Sequence, residues 1–281
     1  MKNTVIIKES GDKVIFNSNK LRASLQKSGA TEMSIQIIMD EINAILFDGI
    51  TTKEIYKRAF ALLHKQSRPT ASRYKLKKGI LELGPSGFPF EKFVGELLKN
   101  QGYKVNVGAI VQGNCVQHEV DIIAEKESNY FMIECKFHSS FKIPCNVKIP
   151  LYIHSRFLDL EKQWKEIPNH SHKNHQGWLV NNTRFTSDAI QYGECVGLKM
   201  VSWDYPKGES LQDLISNAGY YPITCLNTIT NAEKHQLLAK DIVLCKQLCE
   251  QKDVLNQLGI SNSRIKKIVE DAQALCKSYV V

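Results

Sequence analysis

Two stretches decide how this chain folds: His118-Glu119-Val120-Asp121-Ile122-Ile123-Ala124 and, shortly after it, Ile133-Glu134-Cys135-Lys136. Each is a short apolar run interrupted by charge. Residues two apart on a strand point the same way, so Glu134 and Lys136 share a face with Tyr130 and Met132. Phe131, Ile133, Cys135 and Phe137 line the other face. A strand apolar on both sides belongs at the centre of a sheet covered by helices. A glutamate and a lysine placed there carry a desolvation cost unless they bind something. Asp121, on the preceding strand, can reach the same spot. Two carboxylates and a backbone carbonyl make an oxygen-rich site suited to Mg²⁺ or Mn²⁺. A neighbouring lysine can orient or deprotonate a water, or meet the charge that builds on a phosphate. Glu91, on an earlier helix, is placed to serve as a further ligand or to support one. Glu-x-Lys alone is common on strands and usually only structural, so the weight rests on its combination with Asp121 and with what flanks them.

The flanking sequence reads as α/β. Phe90–Asn100 has the spacing of an amphipathic helix. Tyr103–Val107, Glu119–Ala124 and Tyr130–Phe137 read as strands, Phe157–Trp164 as a helix, and Trp178–Val180 as a strand. Ser187–Cys195 then reads as a helix and Leu198–Trp203 as a last strand. Phe137–Ser155, rich in Lys and Pro, is an insertion that can be a DNA-facing loop or a spacer. His170-Ser-His172-Lys-Asn-His175 reads as a solvated loop in preference to a metal site.

These motifs resemble the PD-(D/E)xK nucleases, in particular the Mrr-like branch of restriction endonucleases. The likeness begins at the helix Phe90-Glu91-Lys92-Phe93-Val94, passes through Gly102-Tyr103-Lys104-Val105, the Asp121 strand and Glu134-Cys135-Lys136, and continues in Asn182-Thr183-Arg184-Phe185-Thr186-Ser187-Asp188-Ala189. It covers about Phe88 to Tyr205, with Val120 where the pattern has proline. The resemblance implies that Asp121 and Glu134 hold the metal, that Lys136 is the catalytic lysine and that Glu91 is the helix acid. It also implies Mg²⁺- or Mn²⁺-dependent cleavage of DNA.

Gly84-Pro-Ser-Gly-Phe-Pro89 separates this region from the N-terminal one. Residues 1–83 open with two strand-like runs, Thr4–Lys8 and Lys13–Phe16, around the turn Glu9-Ser-Gly11-Asp12. Four helices come next: one capped near Asn17, one carrying Ile35, Ile38, Met39, Ile42, Ile45 and Leu46, one starting near Thr51-Thr52, and one from Pro69-Thr70 to about Leu83. The segment is also the basic one. Residues 1–83 have 15 basic and 8 acidic residues, against 14 and 13 for 84–208 and 8 and 8 for 209–281, a balance that suits phosphates. Ile6-Ile7-Lys8, Gly11, Phe16-Asn17, Lys20-Leu21-Arg22, Asp48-Gly49-Ile50-Thr51-Thr52-Lys53-Glu54-Ile55-Tyr56 and Ala71-Ser72-Arg73-Tyr74 are similar to the ATP-cone, the regulatory module of ribonucleotide reductases and their repressors. That similarity implies ATP or dATP held beneath a hairpin lid, with phosphate on Lys8 and Lys20 and base or ribose near Ile6, Leu21, Thr52 and Tyr56. It also implies self-association, a homo-oligomer. Glu9-Ser10 departs from the family's Arg-Asp and can weaken or abolish triphosphate binding. A helical domain kept for oligomerisation is the alternative.

Residues 209–281 read as helical, with a helix from Asn262 to about Lys277. Leu255-Asn-Gln-Leu258-Gly259-Ile260-Ser261 before Arg264, Lys266 and Lys267 hints at a DNA-binding hairpin, although a packing or dimerisation role fits better. The expected architecture is therefore multidomain α and α/β. It comprises a β-hairpin plus four-helix domain over 1–83, an α/β domain with a mixed sheet flanked by helices over 86–207, and a helical segment over 209–281. At 281 residues with 43% hydrophobic and 23% charged residues, the composition is that of a globular protein. No stretch suits a membrane span, no leader is evident, and eight scattered cysteines read as free thiols, so a cytoplasmic protein is expected. No Gly-x-x-x-x-Gly-Lys-Ser/Thr loop occurs, which disfavours an ATPase-driven enzyme. Two functions remain: a DNA endonuclease gated or assembled by nucleotide, and a nucleotide-responsive DNA-binding regulator with an inactive nuclease fold.

Overall fold

Asn17 starts the first helix by accepting a hydrogen bond from Lys20 N through its side chain, at 3.1 Å. In the computed structural model, which describes residues 4–276, a hairpin of β1 (Val5–Ile7) and β2 (Lys13–Ile15) precedes it. Helices α1 (Ser18–Lys27), α2 (Glu32–Ile45) and α3 (Thr52–Gln66) come after it, and then α4 (Arg68–Tyr74) and α5 (Leu76–Leu81). Thr51 and Glu54 form a reciprocal cap at the start of α3, a device worth about 1 kcal/mol. Ile35, Ile38, Met39 and Ile42 of α2 are buried as their spacing predicts, whereas Ile45 is exposed. The fourth expected helix is two, α4 and α5, divided at Lys75.

The chain packs as two units. The first joins the segment up to Gly79 with Tyr221–Lys234 and the segment from Cys245 on; the second joins Ile80–Tyr220 with His235–Leu244. The three consecutive bodies expected at 1–83, 86–207 and 209–281 thus differ from this division. The reason lies around α4 and α5. Arg73 and Lys75 are almost wholly buried, and a buried cation needs acceptors. Arg73 Nη2 donates to Ala274 O at 2.7 Å, and Lys75 Nζ to Thr224 O at 2.8 Å. Thr224 Oγ1 donates back to Gly79 O at 2.6 Å. A Cβ on Gly79 would lie 2.5 Å from Cys225 Sγ, so glycine is what permits this close approach. Most of the late segment therefore packs in the first unit, while its start up to Tyr220 and His235–Leu244 belong to the second. It is helical as expected: α9 (Leu211–Ala218), α10 (Asn231–Ala239), α11 (Cys245–Glu250), α12 (Asp253–Gln257) and α13 (Asn262–Cys276). The end expected at Lys277 lies outside the described residues.

The second unit is built on a five-stranded sheet in the order β3 (Lys104–Gln112), β4 (Gln117–Lys126), β5 (Asn129–Lys136), β6 (Asn174–Asn181), β7 (Lys199–Val201). The first three strands are antiparallel neighbours, and the last three are parallel. Parallel neighbours need crossover helices, here α7 (Lys148–Glu166) and α8 (Ser187–Cys195). Their face of the sheet is filled by Met132, Leu179 and Met200 packed with Ile153, Phe157, Leu160 and Trp164. Phe131, Phe137 and Trp178 alternate onto the other face. There Phe137 packs against Phe90 of α6 (Phe88–Asn100), ring centres 5.7 Å apart. The mixed α/β class, with one mixed sheet and a separate small hairpin sheet, is as expected.

Two local expectations change. The Phe137–Ser155 insertion contains the first turns of α7, and its loop is pinned: Thr183 Oγ1 donates to Ile143 O at 2.9 Å, and Cys145 N to Arg184 O at 2.7 Å. The histidine cluster is a solvated loop only in part: Ser171 and His172 are exposed in turns. His175 lies in β6, and the His170 and His175 rings pack around Tyr130 and Trp164. Burial lowers the pKa of both histidines, since desolvation disfavours the imidazolium. Among the described residues the cysteines are free, and no helix is long and apolar enough to cross a membrane.

Candidate functional site

The β4–β5 ladder ends at the pair Ile122–Ile133, so the next residues along, Asp121 and Glu134, stand opposite one another. Asp121 Oδ2 accepts from Cys135 N at 2.7 Å, which fixes its carboxylate beside the Glu134 strand. Glu134 is buried at 7% exposure. Lys136, one strand repeat further, is half-buried and close enough to Asp121 to favour its ionised form. Glu91 comes from the first turn of α6 and is close enough to repel both other carboxylates. Glu91, Asp121, Glu134 and Lys136, which the sequence singles out separately, thus come together.

The carboxyl groups resist ionising together. Burial, then Asp121, pushes Glu134 up to about 8, against the pull of Arg156. Burial, then Asp121 and Glu119, pushes Glu91 up to about 7. Asp121 is also raised, chiefly by burial, although the Cys135 N–H, Arg156 and Lys136 oppose the shift. Clustered carboxyls held up by burial and mutual repulsion are typical of functional sites.

Arg156, on α7, is the member that sequence reasoning missed. Its Nη1 lies 2.8 Å from Glu134 Oε1, and both side chains are largely buried. Yet Oε1 is a buried oxygen with no well-directed hydrogen bond, so the guanidinium neutralises it without satisfying its lone pairs. Arg156 is held from behind by Glu119 O and by His118 Nδ1, the latter at 3.4 Å. His118 Nε2 meets Asp159 Oδ2 at 2.8 Å. With Nδ1 accepting, Nε2 is the donor to Asp159. The His118 bond, helped by the Cys115 and Val116 N–H groups, holds Asp159 down at about 2. His118 therefore braces Arg156, while Glu119 faces solvent.

A divalent cation fits this donor set. Asp121 and Glu134 are hard oxygen donors on adjacent strands, Glu134 Oε1 lacks a directed partner, and a double positive charge would relieve the repulsion that helps raise the carboxyl pKa values. Among the described residues no three His, Cys, Asp or Glu side chains converge as a cation site. A cation here would therefore rest on a pair of carboxylates, with backbone carbonyl and water completing its shell.

The first unit holds a cavity of about 520 Å³ beneath the hairpin, within the range of small-molecule sites. Ile6, Lys8, Lys20, Leu21, Thr52 and Tyr56 all line it. The hairpin is docked on the α2–α3 loop by Ile7 N to Ile50 O at 3.0 Å and Gly49 N to Val5 O at 2.8 Å. Lys77 adds a third basic side chain to the lining, which holds no acidic one; Glu9 is not part of it. Tyr56 and Tyr74 stack at 5.2 Å with an 11° interplanar angle. Burial raises the Tyr74 hydroxyl to about 12, so it remains a neutral donor.

A protein of Archaeoglobus fulgidus, described as uncharacterized, is 33% identical to this chain over 181 residues, 64% of this chain and 98% of that protein. The chain belongs to the AF1548-like family. The family's C-terminal model, AF1548-like, C-terminal, matches residues 221–276. A crystal structure of a protein of unknown function, AF1548, is 32% identical, covering 68% of this chain and 98% of that one with a TM-score of 0.56. About a third of this chain thus has no counterpart in a family relative matched almost end to end.

Lys77 and Arg156 share the reason they escaped notice. Each sits on a helix whose own pattern is ordinary, and each reaches its site only through tertiary packing. The one available signal for Arg156 was a cation amid the apolar positions Ile153, Phe157 and Leu160 of α7.

Proposed function

We propose that this chain is a DNA endonuclease dependent on Mg²⁺ or Mn²⁺, of the PD-(D/E)xK, Mrr-like kind, with an ATP-cone-like domain that binds ATP or dATP and governs activity or homo-oligomeric assembly. The observation that carries this reading is the convergence of Asp121, Glu134 and Glu91, all with raised carboxyl pKa values, beside Lys136 at the end of β5. In the reaction a water oxygen bonds to phosphorus as one ester P–O bond breaks, and the departing alkoxide takes up a proton. A bound cation lowers the pKa of its water and offsets charge on the phosphate. Asp121 and Glu134 would hold that cation, with Asp121 oriented by the Cys135 N–H. Glu91, at about 7, is matched to accepting the water's proton at neutral pH. Lys136 positions the water and meets the charge on a non-bridging phosphate oxygen. The cavity that gathers Lys8, Lys20 and Lys77 around the Tyr56–Tyr74 stack supports the nucleotide part of the proposal.

One observation favours a second reading, a nucleotide-responsive DNA-binding regulator: Arg156 already neutralises Glu134. Supercoiled plasmid incubated with Mg²⁺ or Mn²⁺, with and without ATP and dATP, separates the two. Cleavage by wild type and its loss in Lys136→Ala is the expected result. Intact plasmid under every condition, together with nucleotide-dependent DNA binding, would leave the regulator.

A further inference from the structure

Besides the hairpin cavity, the first unit has a second concavity that the nuclease and nucleotide readings do not use. Its volume is about 330 Å³, and His64, Arg68, Ser72, Thr228, Arg264 and Lys267 are among the residues that line it. They come from α3, α4, the stretch before α10 and α13, elements remote in sequence but packed in one unit. Arg264 is already committed, pairing with Glu233 through both terminal nitrogens at 2.6 and 2.9 Å and donating to Thr228 O at 3.1 Å. Arg68 and Lys267 have no hydrogen bond or ion pair with any described residue. Asp271 is the acidic side chain of the lining, set against the cations Arg68, Arg264 and Lys267, so the lining is net positive.

Thr228 adds an independent observation. Its Oγ1 is shut away from solvent with no hydrogen-bond partner, although Arg264 orders its backbone carbonyl. A buried hydroxyl with no partner costs free energy and is one of the features that call for an explanation. Two unpaired cations and an unsatisfied hydroxyl at a concave surface match a tetrahedral oxyanion. Arginine and lysine supply charge and fork-like donors, and the hydroxyl donates one further hydrogen bond.

We infer that this concavity is a phosphate-binding site, distinct from the hairpin cavity, in which Arg68, Lys267 and Thr228 hold a free phosphate or a phosphate of a nucleic-acid backbone. Because its cations come from both α4 and α13, the anion would also fasten the C-terminal helix to the first helices.

The test is calorimetric titration of the full chain in EDTA with inorganic phosphate and, separately, with a short blunt DNA duplex. The proteins are wild type, Arg68→Gln/Lys267→Gln, Thr228→Val, and Lys8→Gln/Lys20→Gln as the control at the other cavity. If the source is free phosphate, the Arg68/Lys267 variant weakens inorganic phosphate binding by about tenfold or more and the Lys8/Lys20 variant does not. If the source is a nucleic-acid backbone, the Arg68/Lys267 variant weakens duplex binding and lowers its salt slope by about 1. Thr228→Val distinguishes binding from architecture. It should weaken the same ligand while leaving ligand-free melting unchanged or higher, because the hydroxyl it removes has no partner. Unchanged affinity for both probes in the Arg68/Lys267 variant, or losses confined to the Lys8/Lys20 variant, would overturn the inference.

Discussion

Raising the pH from 6 to 8 should strengthen Mn²⁺ binding at the carboxylate cluster by between about tenfold and about fiftyfold. Glu134 titrates near 8 and Glu91 near 7. Asp121 repels both, Glu91 also repels Glu134 and Glu119 repels Glu91, while Arg156 attracts Glu134. A carboxyl with a pKa of about 8 is roughly 1% ionised at pH 6 and half ionised at pH 8; one near 7 goes from about a tenth to about nine-tenths. A cation takes only the ionised form, so its affinity rises in proportion, by about 1.4 to 2.3 kcal/mol. The cation-free protein behaves in the opposite sense. Between about pH 4.5 and 8 the folded chain keeps a proton on Glu134 that the unfolded chain releases, so its own stability falls as pH climbs through that window. With Mn²⁺ well above Kd at both pH values, the increase in melting temperature caused by the cation should be roughly 3–9 °C larger at pH 8. Glu134→Gln should flatten that difference, and Asp121→Asn should remove the stabilisation. Stabilisation independent of pH, or persisting in Asp121→Asn, would refute the assignment of these carboxylates to a cation.

Two more outcomes rest on the geometry. Lys20→Gln removes one cation from the hairpin cavity and should weaken ATP binding by about tenfold in a calorimetric titration; an unchanged affinity would place the phosphates elsewhere. Asn182→Ala, at a fully buried position, breaks reciprocal bonds with the His138 backbone of 2.7 and 2.8 Å, so it should cost about 2 kcal/mol and lower the melting temperature by several degrees. Melting within about a degree of wild type would show that the loop it pins contributes little.

The parts of this molecule that are legible in the sequence obey local rules. Alternation along Tyr130–Phe137 places Glu134 and Lys136 on one face of a central strand, and capping residues at Asn17, Thr51 and Ser187's predecessor Thr186 begin helices where expected. The parts that differ from expectation depend on partners distant in sequence. Asn174 and His175 are polar, yet they extend β6 because its backbone pairs with Asn129 and Tyr130 of β5. Gly108–Gln112 prolongs β3 as a half-exposed edge strand, which leaves Ile110 in solvent and blurs the pattern. The C-terminal helices show their type but not their place, because that is set by carbonyls accepting from the buried Arg73 and Lys75.

Arg156 bears on both readings of the carboxylate cluster, and counting charges shows how. Leaving aside the solvent-facing Glu119, Asp121, Glu134 and Glu91 bring three negative charges when ionised, and Arg156 and Lys136 bring two positive ones. Buried charge is tolerated only near balance. Without a cation, balance is reached by keeping a proton, as the raised values of Glu134 and Glu91 express. With a divalent cation and every carboxyl ionised, the cluster carries one net positive charge, and a single phosphodiester cancels it. On this reasoning Arg156 does not mark a disabled site. Under the proposed function it would supply the charge that makes the cluster, a cation and one backbone phosphate neutral together, and would hold Glu134 in place before the cation binds. An Arg156→Leu protein that still bound Mn²⁺ and DNA as the wild type does would show that this balance is not what the guanidinium provides.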